Sequence, residues 1–115
     1  DLCNLVMSMD QGIAVGMVIA ELVTNAFKHA FPLGTGGTVW IRLSRPSRRA
    51  IELIVADNGI GLPPDMDIQH PASLGLRLVT GAVTRELGGS IQLDRNGGAR
   101  FLIRFTCEEN SRRRP

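Results

Sequence analysis

Four polar residues interrupt an apolar stretch near the start of the chain: Glu21, Asn25, Lys28 and His29. Their offsets from Glu21 are four, seven and eight. At about 100° per residue, a helix would gather them into a sector of roughly 100°. An acid, an amide and two basic groups on one face of a buried helix cost on the order of 1–3 kcal/mol each if left unpaired. Two readings answer that cost. Glu21 could pair within the helix with Asn25 or Lys28 beside a solvent gap. Alternatively, the set is a binding face for a magnesium–phosphate group. The amide oxygen of Asn25 suits a hard cation that keeps most of its waters. Lys28 or His29 would then meet phosphate oxygens.

A second group, Asp57-Asn58-Gly59-Ile60-Gly61, follows directly on an apolar alternating run. Asp-Asn-Gly is a good turn former, so a plain strand-end turn is one reading. The other is recognition of adenine. A carboxylate at a strand end accepts from an exocyclic amine that guanine lacks at that position. Gly59 and Gly61 would let backbone approach the flat base. A third group, Ser73-Leu74-Gly75-Leu76, opens a helical pattern. Ser73 reads as an N-cap. Free N–H groups at this helix start can also hold phosphate oxygens, and the small Gly75 permits contact. No GxxxxGK[ST] run exists, which excludes a P-loop enzyme.

The elements that must carry these groups follow from periodicity. Residues 11–31 read as one long helix, apolar at most positions and therefore largely buried. Pro32, Gly34, Gly36 and Gly37 end it. Residues 38–44 and 50–56 alternate, with Val39, Ile41, Leu43 and then Ile51, Leu53, Val55 on one face. Pro46-Ser47-Arg48-Arg49 between them suits a hairpin turn. Residues 57–73 have no period and three prolines, a long loop for so small a domain, which points to function or mobility. Residues 74–87 predict a second helix with Leu76, Val79, Val83 and Leu87 on one face, closed by Gly88 and Gly89. Residues 90–95 and 99–106 pair around Asn96-Gly97-Gly98, with Ile91, Leu93, Phe101, Ile103 and Phe105 inward. Helix, two strands, loop, helix, two strands predicts an α+β two-layer sandwich. Helices would cover one face of a mixed, mainly antiparallel sheet.

Composition sets the outer bounds. The 115 residues fit one domain, taken as 1–108, with 109–115 as a flexible Arg-rich tail. The start without Met reads as an N-terminally truncated or excised domain. A net charge of +2, with arginines clustered at 42–49 and 112–114, reads as a solvated turn and a frayed end. Without a basic groove interleaved with aromatics, no nucleic-acid partner is expected. Cys3 and Cys107 lack metal-ligand spacing and read as reduced thiols of a cytoplasmic protein. No apolar run is long enough to span a bilayer, so no membrane contact is expected of this domain.

Together these stretches resemble the ATP-binding domain shared by histidine kinases, DNA gyrase, the Hsp90 chaperones and MutL. The matching pieces are ELVTNAFKHAF at 21–31, DNGIGLP at 57–63, SLGLRLV at 73–79 and GGARFLIRF at 97–105, in the expected order. The wording is most similar to the HWE and closely related sensor histidine kinases. The resemblance implies a Bergerat-type sandwich holding ATP and magnesium. It gives Asn25 the metal, Lys28 or His29 the phosphates and Asp57 the adenine, with Gly59 and Gly61 shaping the base pocket. Leu62, Ser73, Leu74, Gly75 and Leu76 would line the nucleotide, and residues 62–73 would form a lid. Glu21 matches the acid that activates water in the ATPase relatives, and here reads as a metal-site or proton-handling residue. Two departures stand out. Ser73 replaces a common glycine, and Ala99 replaces a common Thr, which removes a hydroxyl near the base.

By that resemblance the chain donates the γ-phosphoryl of ATP to a histidine on a separate dimerisation domain, and a response regulator is an indirect partner. His29 and His70 both lie in the nucleotide region, so neither reads as the acceptor. The isolated chain should bind ATP and hardly turn it over. Rival readings are an anti-sigma-factor-type serine kinase, an ATP hydrolase using Glu21, and a degenerate docking domain.

Overall fold

The structure, a computed structural model, describes residues 7–30, 36–60, 68, 73–95 and 97–107, without the side chains of His29 and Ala30. Cys3, Gly61, Leu62, His70, Asn96, most of the expected lid and the 109–115 tail lie outside the described residues.

Helix α1 spans Met9–Asn25. Ser8 caps it through a reciprocal box. The Ser8 hydroxyl accepts from the Gln11 N–H at 3.1 Å, and the Gln11 side chain accepts from the Ser8 N–H at 3.3 Å. Such a cap is worth about 1 kcal/mol. The expected single helix over 11–31 instead changes character. After Asn25 a five-residue π turn, Ala26–Ala30, takes over. The second helix does the same: α2 is Leu74–Gly81, followed by a π turn at Ala82–Glu86.

The strands match the alternating runs. They are β1 (Val39–Ser44), β2 (Ala50–Asp57), β3 (Ser90–Asp94) and β4 (Arg100–Thr106). Their order is β1-β2-β4-β3, and every described pair is antiparallel. Both helices pack on the face that carries Ile51, Leu53 and Val55 of β2 and Phe101, Ile103 and Phe105 of β4. From the helices come Val18, Leu22, Leu76, Val79 and Val83. Burying each such side chain stabilises by about 1.5–3 kcal/mol.

One expectation of burial needs correction. Helix α1 is not buried all round: Ala14, Val15, Val18 and Leu22 face the core, while Met9 and Ile13 (66% exposed) face solvent. An apolar sequence at most positions cannot reveal that a two-helix layer covers only one side. Ile41 does share the face of Val55, as the register shows, but is 50% exposed. It sits on edge strand β1, at the margin of the helix layer, and no β1 residue belongs to the fully buried core.

The topology decides which groups meet. The Gln11 amide donates to the Thr106 carbonyl at 2.9 Å, so α1 starts at the β4 C-terminal end of the sheet. That is the end opposite Asp57, because Ala50 pairs with Thr106. An α-helix of 17 residues is about 25 Å long, close to the length of β2. Lying along the sheet, α1 therefore delivers Asn25 towards the end where β2 delivers Asp57. Helix α2 runs back, because Ser90, four residues beyond its π turn, pairs with Arg104 at the far end.

Candidate nucleotide-binding site

The first turn of α2 meets the last turns of α1. Ser73 caps α2, its hydroxyl accepting from the Leu76 N–H at 3.2 Å. This places Gly75 against the polar stripe. A Cβ built on Gly75 would lie 2.8 Å from Glu21 Oε1 and 3.7 Å from both Asn25 Oδ1 and Asn25 Nδ2. Glycine thus lets the helix start approach an acid and an amide. Both side chains are half-buried, and among the described residues neither makes a hydrogen bond or ion pair. The intrahelical pairing of Glu21 with Asn25 or Lys28 is absent among the described contacts.

Lys28 is placed differently from the helical projection. It lies in the π turn, where the backbone is wider than an α-helix and the 100° step no longer holds. Its side chain is exposed. His29 shares the turn, and its side chain lies outside the description. The donor set fits a hard cation with phosphate: an amide oxygen and a carboxylate lie beside a helix start, with a lysine on the next turn.

Asp57 ends β2 on the helix-facing side. Its Oδ1 accepts from the Gly59 N–H at 2.9 Å and from the Ala99 N–H at 3.4 Å. Its own N–H donates to the Ala99 carbonyl at 2.8 Å. The neighbouring Asn58 ties the end of β2 to the residue before β1. Asn58 Oδ1 accepts from the Thr38 N–H at 2.8 Å, and the Asn58 N–H donates to the Thr38 carbonyl at 3.3 Å. Sequence reading missed Thr38, Gly98 and the Ala99 backbone. Asn58 and Gly98 read there as turn residues, and Ala99 only as a lost hydroxyl. The available signal was the Gly97-Gly98 pair, since two successive glycines exceed what the hairpin needs.

The structure thus brings Glu21, Asn25 and Gly75 into contact, with Ser73, Leu74 and Leu76 in the adjoining turn. Leu76 points into the core rather than outward, at 6% exposure, whereas Leu74 is exposed. Asp57 and Gly59 form a separate cradle at the same end of the sheet.

Comparison with known proteins gives the family of the chain. Residues 10–109 match the family described as histidine kinase-, DNA gyrase B-, and HSP90-like ATPase. The chain belongs to that family. It is 44% identical over 87 residues to the sensor histidine kinase PdtaS of Mycobacterium tuberculosis, a match covering 75% of the chain and 17% of that kinase. It is similar to the solved histidine kinase domain of the Erythrobacter litoralis EL346 blue-light activated kinase, with TM-score 0.76 and 31% identity. That match covers 84% of the chain and 44% of the solved domain. A shorter match, 33% identical over 64 residues, joins it to the anti-sigma F factor of Priestia megaterium, covering 56% of the chain and 44% of that protein. The chain therefore spans less than half the length of each of these relatives, and about a sixth of PdtaS.

Proposed function

We propose that this chain is the nucleotide-holding part of a sensor histidine kinase, binding ATP with magnesium and presenting the γ-phosphoryl to a histidine on a separate dimerisation domain. One observation carries the reading: the start of α2 is pressed against Glu21 and Asn25 at the sheet end that bears Asp57. A nucleotide laid across that end would have its base at the Asp57 cradle and its phosphates between α1 and α2.

Each residue then has a defined task. Asp57 accepts from the exocyclic amine of adenine. Asn25 offers its amide oxygen to magnesium, and Lys28 with the α2 N–H groups neutralises phosphate oxygens. Magnesium, when bound, supplies charge neutralisation at the phosphates. Glu21, beside Gly75, handles a proton at the phosphate end. Catalysis here is positioning and charge neutralisation, and the nucleophile comes from the partner domain.

Calorimetry with magnesium and a non-hydrolysable ATP analogue tests the binding half. Asn25→Ala and Asp57→Ala should each abolish or strongly weaken the heat signal, and unchanged binding in both defeats the reading. Labelled ATP with a histidine-bearing partner domain tests the transfer half. The similarity to an anti-sigma F factor favours one alternative, phosphorylation of a protein serine from the same pocket. The product discriminates: phosphohistidine is lost in acid and survives base, while phosphoserine does the reverse.

A further inference from the structure

Resting on the reading of Asp57 as the base-holding group, we propose that Gly98 and Asn58 are positioning residues. They fix the backbone around Asp57 so that the Gly59 and Ala99 N–H groups occupy one carboxylate oxygen and the other alone reads the base.

The argument starts at the approach of β4 to β2. Gly98 has φ +129°, a conformation that side chains rarely adopt, and a Cβ there would overlap the Asp57 carbonyl oxygen. The same Cβ would stand 3.2 Å from Asn58 Cα. Only glycine lets the chain pass so close. The reward is the next residue: Ala99 exchanges two hydrogen bonds with Asp57, from Asp57 N–H to carbonyl and from Ala99 N–H to Oδ1. On the opposite flank, Asn58 uses its side-chain oxygen and its backbone N–H to add one rung beyond the Val39–Asp57 pair. Asp57 is therefore clamped between β1 and β4.

That clamp has a consequence for specificity. Oδ1 already accepts from Gly59 and Ala99, whereas Oδ2 accepts from no described residue. A carboxylate fixed in this way presents one acceptor in one direction. A 6-amino purine answers it with a donor. A 6-oxo purine would face it with a second acceptor, and the repulsion would discriminate. A carboxylate free to swing would accept water or either base edge with less preference.

The test measures affinities of the whole chain for ADP and for the diphosphate of purine riboside, which lacks the 6-amino group. In the wild type ADP should bind more tightly, by about tenfold for a hydrogen bond to a charged group. In Asn58→Ala and Gly98→Ala that ratio should fall towards one, while the purine riboside diphosphate affinity stays within about twofold. A merely structural role would lower both affinities together. Gly98→Ala can fail to fold, and the exposed Asn58 then decides. An ADP preference that persists undiminished in Asn58→Ala overturns the proposal alone. A wild type without any preference for ADP overturns the adenine reading and the proposal with it.

Discussion

The two ends of the candidate site are built in opposite ways. At the base end, Asp57 Oδ1 accepts from the Gly59 and Ala99 N–H groups and Asn58 Oδ1 accepts from the Thr38 N–H. At the phosphate end, Glu21, Asn25 and Lys28 make no hydrogen bond or ion pair among the described residues, and Lys28 stands on a π turn. The first end is rigid because strands position it through ladder bonds. The second is assembled from helix side chains that share only proximity. Recognition of the base can thus be set in advance, while the phosphate end depends on the charge that arrives.

The largest effect should come from the rigid end. Asp57→Ala should cost about 10–100-fold in affinity for adenosine, ADP and ATP alike, measured by calorimetry. Loss confined to ATP would break the contrast. Asn25→Ala should weaken magnesium-ATP by about tenfold and leave adenosine unaffected, since an amide–cation contact serves only the phosphate end. Gly75→Ala sharpens the comparison further. The Cβ would displace the mobile tip of Glu21 rather than backbone, so folding should hold or gain up to about 1 kcal/mol of helix propensity. Phosphoryl transfer should nevertheless fall, which a labelled-ATP assay with the partner domain reads against a thermal melt. The smallest effect belongs to a site remote from both ends. Arg104 donates to Glu52 at 2.8 Å on the outer sheet face. With Arg104 60% exposed, Arg104→Ala should shift denaturant stability by less than about 1 kcal/mol and leave nucleotide binding unchanged.

The same contrast explains what the sequence made legible. Alternation gave β2 and β4 because Ile51, Leu53, Val55, Phe101, Ile103 and Phe105 are buried at period two. Ser73 was readable as a cap because its partner is only three residues away. Asn25 and Glu21 stood out because polar groups in an apolar helix demand a reason. The π turns were not legible, since their hydrogen bonds, such as Leu87 N–H to Ala82 carbonyl, depend on packing rather than on residue type. Nor was the clamp on Asp57, because Ala99 is 42 residues away and acts through its backbone, which carries no residue signature. The exposed side of α1 escaped for a similar reason: a helix face is defined by its neighbours.

The tight passage of Gly98 beside Asp57 also bears on how the sheet finds its pairing. Sliding β4 by two residues along β2 would keep every inward side chain inward, so hydrophobic patterning alone tolerates it. Such a slip would bring Asn96 or Arg100 opposite the Asp57 carbonyl, and both carry a Cβ. Neither residue readily adopts the φ of +129° that Gly98 takes there, so this passage favours the observed alignment of the two central strands.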